Sequence, residues 1–142
     1  MPNPILRGSQ LVEKELSVLV VDDDPGMVTT LQDILSASGY AVEVAHSGTE
    51  ALQRVSEQRP DWILLDIRMP GMNGVETYHE LERRSPDSSV IFMTAFANSD
   101  LVRQARGTGA VLVLPKPIDL ERLIDRLAQG PASDSHPARP PR

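Results

Sequence analysis

Four short apolar runs, at residues 18–21, 62–65, 90–93 and 111–114, punctuate the chain, and stretches with helical periodicity lie between them. Unbroken runs of this length bounded by turn residues predict strands buried on both faces, which is the mark of a parallel sheet. The segment 41–45 reads differently. Val42 and Val44 share one face with Glu43 opposite, so it predicts a half-exposed edge strand. Asp24-Pro25 supplies an N-cap and a first-turn proline to a helix whose Met27, Val28, Leu31, Ile34 and Leu35 line one face, with Gly39 closing it. Ser47-Gly-Thr-Glu50 has the capping-box spacing, ahead of Ala51, Leu52 and Val55, and that helix stops before Pro60. A third helix carries Val75, Tyr78 and Leu81 to about Arg84. A fourth, from about Ser99, has few apolar anchors and is cut short by Gly107-Thr-Gly109. After Pro115-Lys-Pro117, Asp119 is the N-cap of a fifth helix presenting Leu120, Leu123, Ile124, Leu127 and Ala128.

The alternation predicts five βα units: an α/β, doubly wound, five-stranded parallel sheet with helices on both faces, flavodoxin-like. Right-handed crossovers restrict the strand order, and 2-1-3-4-5 places the alternating second strand at an edge. Residues 1–14 show no clear pattern and read as an N-terminal arm, 15–129 as the domain, and 130–142 as a disordered proline-rich tail or linker, with four prolines and almost no large apolar side chain.

Polar residues stand at the ends of these strands. Asp22 and Asp23 follow the first, Asp66 the third, Thr94 the fourth, and Lys116 comes two residues after the fifth run. In open α/β sheets ligands sit beyond the carboxyl ends of the strands. With strands about 4.8 Å apart, short side chains suffice for the neighbours of Asp66, and Lys116, two strands or about 10 Å away, needs its length. An acid pair, a lone acid, a hydroxyl and an amine suit the transfer of a phosphoryl group to a carboxylate with help from a divalent metal. Asp24 is left as a cap, His46, His79 and His136 as scattered surface residues, and Trp62, Phe92, Met69 and Met93 as packing.

Composition narrows the function classes. A chain of 142 residues with formal charge −6 argues against a nucleic-acid surface, and the lack of cysteine excludes disulfides and thiolate metal sites. No stretch approaches a membrane span, and residues 1–7 lack the apolar core of a secretion signal, so a soluble cytoplasmic domain is expected.

The motifs Val20-Val-Asp-Asp-Asp-Pro25, Leu65-Asp-Ile-Arg-Met-Pro-Gly-Met-Asn-Gly74, Met93-Thr-Ala95 and Leu114-Pro-Lys-Pro117, in this order, resemble those of the receiver domain of two-component response regulators, with the chemotaxis-regulator-like fold. The resemblance covers about residues 16–129. It implies Asp66 as nucleophile and phosphoacceptor. It also implies Mg²⁺, with Mn²⁺ as a substitute, held by Asp23, Asp66 and the backbone carbonyl of Arg68, with Asp22 acting mainly through a metal-bound water. Lys116 and the Thr94 hydroxyl would meet phosphoryl oxygens, and Ala95 would admit the group and offer its backbone N–H. The implied donor is a sensor histidine kinase or a phosphotransfer protein. The output is a downstream protein or effector domain, and the state a monomer or a phosphorylation-dependent dimer. The domain would be a regulatory phosphoacceptor and not an enzyme beyond self-phosphorylation from a donor and autodephosphorylation.

Some positions depart from the family. Val113 stands where many receivers carry an aromatic, which puts the aromatic rotamer switch in doubt. Ile118 replaces a frequent Phe, and Arg68 and Phe96 stand two residues after Asp66 and Thr94, where water access and charge affect phosphoryl lifetime. The expected switch region is Thr94, Phe96 and Val113, with the loop 95–98 and the weak fourth helix moving. The competing reading is a receiver-like interaction module that takes no phosphate; such domains usually lose an acid or the lysine, and here all are present. A phosphatase similar to haloacid-dehalogenase hydrolases needs Thr or Val where Gly26 stands. No glycine-rich nucleotide loop follows a strand.

Overall fold

The computed structural model describes residues 15–131, so the arm and all but the first two residues of the tail, His136 included, lie outside the described residues. The chain runs β1 (Ser17–Val21), α1 (Pro25–Ala37), β2 (Ala41–Ala45), α2 (Gly48–Glu57), β3 (Trp62–Asp66), α3 (Gly74–Arg84), β4 (Ser89–Thr94), α4 (Asp100–Arg106), β5 (Leu112–Pro115) and α5 (Leu120–Ala128). All pairings are parallel, in the order β2-β1-β3-β4-β5. Alternate strand residues feed two cores. Leu19, Val21, Ile63, Leu65 and Phe92 pack with residues of α2, α3 and α4, and Val18, Val20, Leu64, Ile91 and Leu114 with residues of α1 and α5. β2 lies at the edge with Val42 and Val44 half-buried and Glu43 exposed, as its alternation requires.

The helix starts follow the caps in the sequence. Asp24 caps α1 through Gly26 and Met27, Ser47 caps α2 through Glu50, Ser99 caps α4 and Asp119 caps α5. The capping box expected at Ser47 is only half built, because the Glu50 carboxylate accepts from the His46 N–H at 2.8 Å and not from that of Ser47. A full box forms instead at Asn73, whose Oδ1 accepts from the Glu76 N–H while Glu76 Oε1 accepts from the Asn73 N–H, both at 2.9 Å. Asn-x-x-Glu is a legible signal that the apolar pattern of α3 overshadowed. β5 begins one residue later than its apolar run, at Leu112.

Gly130 and Pro131, expected to open a loose tail, are held against the domain. Gly130 takes φ of 90°, its N–H donates to the Leu127 carbonyl at 3.0 Å, and its own carbonyl accepts from Arg126 Nη1 at 3.2 Å. The Arg126 guanidinium lies 5.4 Å from the centroid of the buried Trp62 ring, and Pro131 is buried beside Pro60 and Ser85.

Candidate functional site

The sheet delivers the polar residues to one place because its ladder continues past the strand ends. The Asp22 N–H donates to the Ala45 carbonyl (3.1 Å), the Ile67 N–H to Met93 (2.9 Å) and the Lys116 N–H to Thr94 (2.7 Å). Backbone atoms at or beside each site residue are therefore tied to the neighbouring strand. α3 adds a second constraint on Asp66. The Gly74 N–H donates to the Ile67 carbonyl at 2.7 Å, and a Cβ on Gly74 would stand 2.3 Å from the Asp66 carbonyl oxygen and 2.7 Å from the Ile67 Cα. Only glycine lets the helix start this close, which fixes the backbone beneath the carboxylate.

Asp22, Asp23 and Asp66 each offer a carboxylate oxygen within 4.8 Å of the other two. Asp22 is fully buried, Asp66 buried and Asp23 exposed. Both oxygens of Asp22 are occupied, Oδ1 by the Asp24 N–H at 2.9 Å and Oδ2 by Lys116 Nζ at 2.7 Å. Lys116 Nζ is also 3.5 Å from Asp66 Oδ1. The lysine was expected to reach two strands, to Asp66. It goes one strand further and pairs more closely with Asp22 beyond β1.

The charges are unbalanced. Burial, then the charge of Asp22, push the Asp66 carboxyl up to about 7; Lys116 pulls against them and Asp23 adds to the rise. Burial disfavours the Lys116 ammonium, but the hydrogen bond to Asp22 and the charges of Asp66 and Asp22 outweigh it, so it is held above its ordinary value. One ammonium is thus shared among carboxylates that outnumber it, and Asp66 has the weaker share.

Hard oxygen donors at this spacing fit a divalent cation of the Mg²⁺ type, which takes one or two carboxylates with waters and a phosphate oxygen. The deficit of positive charge is a second reason for the fit.

Thr94 is buried, and its Oγ1 accepts from the Phe96 N–H at 2.9 Å, shaping the loop after β4. Ala95 and Phe96 are exposed, Phe96 to 54%. Arg68 is also exposed and lays its guanidinium 4.6 Å from the Phe96 ring centroid, so the two departures from the usual pattern touch each other. Val113 is half-buried and packs against the core shared with α2, α3 and α4. His46 and His79 are exposed, and Trp62, Phe92, Met69 and Met93 are buried, as expected.

Comparison with known proteins accounts for this arrangement. A family model of the response regulator receiver domain matches residues 18–128. The chain belongs to that family. Receiver domains are the phosphoacceptors of two-component signalling, and they bind Mg²⁺ at their acidic site. The chain is 40% identical over 110 residues to the transcriptional regulatory protein ZraR of Klebsiella oxytoca, covering 78% of this chain and 25% of that protein. It therefore spans about a quarter of the length of the ZraR proteins it matches. With sporulation initiation phosphotransferase F of Bacillus subtilis (strain 168) it shares 33% identity over 108 residues, 76% of this chain and 87% of that one. Among solved structures, a CheY-like receiver domain from Methanospirillum hungatei superposes with TM-score 0.79 at 25% identity, over 86% of this chain and 96% of that one. The response regulator TrrA of Thermotoga maritima, solved with Mg²⁺ and BeF, gives 0.70 at 30% identity, over 80% and 97%. Among the described residues of this receiver domain, no helix is long and apolar enough to cross a membrane.

Proposed function

We propose that this receiver accepts its phosphoryl group on Asp66 and that the unit doing so is 15–129, flanked by an arm (1–14) and a tail or linker (130–142). The observation that carries the reading is the gathering of Asp22, Asp23 and Asp66 within 4.8 Å, with Lys116 reaching over from β5. A carboxylate oxygen of Asp66 attacks phosphorus. The P–N bond of a phosphohistidine donor breaks, its electron pair returns to the imidazole nitrogen, and an acyl phosphate is left on Asp66. Asp23, Asp66 and the Arg68 carbonyl would hold Mg²⁺, and Asp22, engaged at both oxygens by Asp24 and Lys116, would act on it through water. When bound, the ion offsets the carboxylate charge that would repel an incoming dianion and stabilises the equatorial oxygens of the transferring group.

Lys116 moves from Asp22 to a phosphoryl oxygen. The Thr94 hydroxyl, which now accepts from Phe96, turns to donate to another, and the Ala95 N–H donates to the phosphoryl group as well. The changes at Thr94 and Ala95 draw on the loop after β4, so the response passes through 95–98 to α4. Val113 leaves the shift to backbone and helix. The donor is a sensor histidine kinase or phosphotransfer protein in the cytoplasm, the output a downstream protein or attached effector domain, and catalysis is limited to self-phosphorylation and autodephosphorylation.

Intact-mass measurement after incubation with a small acyl phosphate tests the assignment. One phosphoryl should be gained with Mg²⁺ and none in excess chelator or in Asp66→Asn. Equal labelling of that variant sinks the assignment.

A further inference from the structure

Tyr78 lies on α3, but its hydroxyl serves another part of the molecule. The side chain is buried, and its ring centroid stands 5.7 Å from that of Phe92, which sits on β4 two residues before Thr94. The Tyr78 hydroxyl oxygen accepts a hydrogen bond from the backbone N–H of Gly109 at 3.0 Å. Gly109 belongs to the turn that joins α4 to β5. α3 is itself rooted beside the phosphoacceptor by Asn73, Glu76 and Gly74. The bond thus runs from an element fixed at the site to the hinge of the element least fixed.

α4 needs such a tie. It has seven residues, of which only Val102 and Ala105 are buried, whereas an isolated helix requires roughly 12–15 residues to hold in water. A displacement of α4 and its turn away from α3 must give up the Tyr78–Gly109 bond.

We propose that Tyr78 is a positioning residue that holds the α4–β5 turn in its resting place and so sets how much of the unmodified protein occupies the shifted arrangement. The proposal rests on the phosphoacceptor reading above. Coupling is reciprocal, so what restrains α4 also opposes binding of a phosphoryl group or its mimic at Asp66. A neutral hydrogen bond has a net effect on such an equilibrium of about fivefold.

Tyr78→Phe removes the hydroxyl and keeps the ring against Phe92, and Gly109, at the surface, exchanges its partner for water. In the unmodified, Mg²⁺-free protein, amide exchange over residues 100–111 should rise about fivefold while β1 and β3 keep their protection. With Mg²⁺, beryllofluoride should bind about fivefold tighter than to wild type, and labelling by a small acyl phosphate should start correspondingly faster. A purely structural role would lower protection throughout and leave beryllofluoride binding unchanged or weaker, which overturns the proposal, as does unchanged exchange over 100–111. Failure of wild type to bind beryllofluoride would count against the phosphoacceptor reading, and the exchange comparison, made without phosphoryl or metal, would still decide whether Tyr78 restrains the turn.

Discussion

The two flanks of Asp66 are built in opposite ways. Towards β1 and α3, the buried carboxylate and the helix start are tied down. Asp22 is fully buried with both oxygens bonded, and Gly74 brings a helix start against the Asp66 carbonyl. Towards β4 and α4, the loop 95–98 is exposed throughout, Phe96 presents its ring to solvent, and a seven-residue helix follows. The chemistry needs carboxylates held at metal-binding distances, and rigidity supplies that. The proposed response needs an element whose alternative position differs by only a few kcal/mol, and the weak packing of α4 fits that need. Dividing the two tasks between the two flanks lets one change without spoiling the other.

The sharpest test of the difference is a matched pair of glycine substitutions. Gly74→Ala places a methyl within 2.3 Å of the Asp66 carbonyl oxygen, where backbone must move. We expect a loss of about 2 kcal/mol or more and greatly slowed phosphorylation. Gly107→Ala, whose Cβ meets nothing nearer than 3.4 Å and whose φ is −85°, should stay within about 0.5 kcal/mol of wild type and be phosphorylated normally. Urea unfolding and intact mass measure both. Similar losses in the two variants would break the contrast.

Lys116 bridges the flanks, so its removal should separate them. In Lys116→Ala without metal, the buried Asp22 loses its ammonium and stability should fall by up to about 3 kcal/mol, with Mg²⁺ restoring part of it. The fold should persist and Asp66 still react slowly, but beryllofluoride should no longer alter amide exchange in α4 and β5. Wild-type exchange changes in the variant would remove the lysine from the coupling.

The pH dependence should belong to the rigid flank alone. Asp66 titrates near 7 in the metal-free fold, well above its ordinary value, because of its burial and the charge of Asp22. Such a group favours the fold below its unfolded pKa and loses that contribution as pH rises through 7. In chelator, the domain should therefore unfold more easily at pH 8 than at pH 5.5 as far as this group decides. Mg²⁺ needs the ionised carboxylate, so its apparent affinity should drop about tenfold for each pH unit below 7. Calorimetric titration at several pH values checks the slope, and a flat profile refutes it.

The smallest effect is expected at the mouth. Phe96→Ala removes the ring on which Arg68 lies and opens the loop to water, so the acyl phosphate should hydrolyse a few-fold faster while the initial labelling rate holds. Loss of phosphoryl mass over time reads it directly, and an unchanged lifetime would show that the pair does not shield the site.

Features set by residues near one another in the chain, or by the ends of strands, were legible without coordinates. Four apolar runs and one alternating run mark five strands with the second at an edge, and the order 2-1-3-4-5 brings Asp22, Asp23, Asp66, Thr94 and Lys116 to one end of the sheet. The weakness of α4 showed in its few apolar residues and its glycines. What escaped were pairings between long side chains, or side chain and backbone, across distant segments. Lys116 could be sent towards the site by strand counting, but its preference for Asp22 over Asp66 depends on which carboxylate is deeper and already oriented by the Asp24 amide. Arg68 over Phe96, and Tyr78 on Gly109, depend on rotamers and turn geometry that no periodicity encodes.

Pro131 is buried among the turns that precede β3 and β4, at the end of the sheet away from Asp66. A strand of five residues spans about 16 Å, some two Debye lengths in physiological salt. A solvent-exposed segment starting there would feel little of a new dianion's field. It would instead be sensitive to how Arg126 is held, between the Gly130 carbonyl and the Trp62 ring, so any signal reaching it would travel by posture and not by charge.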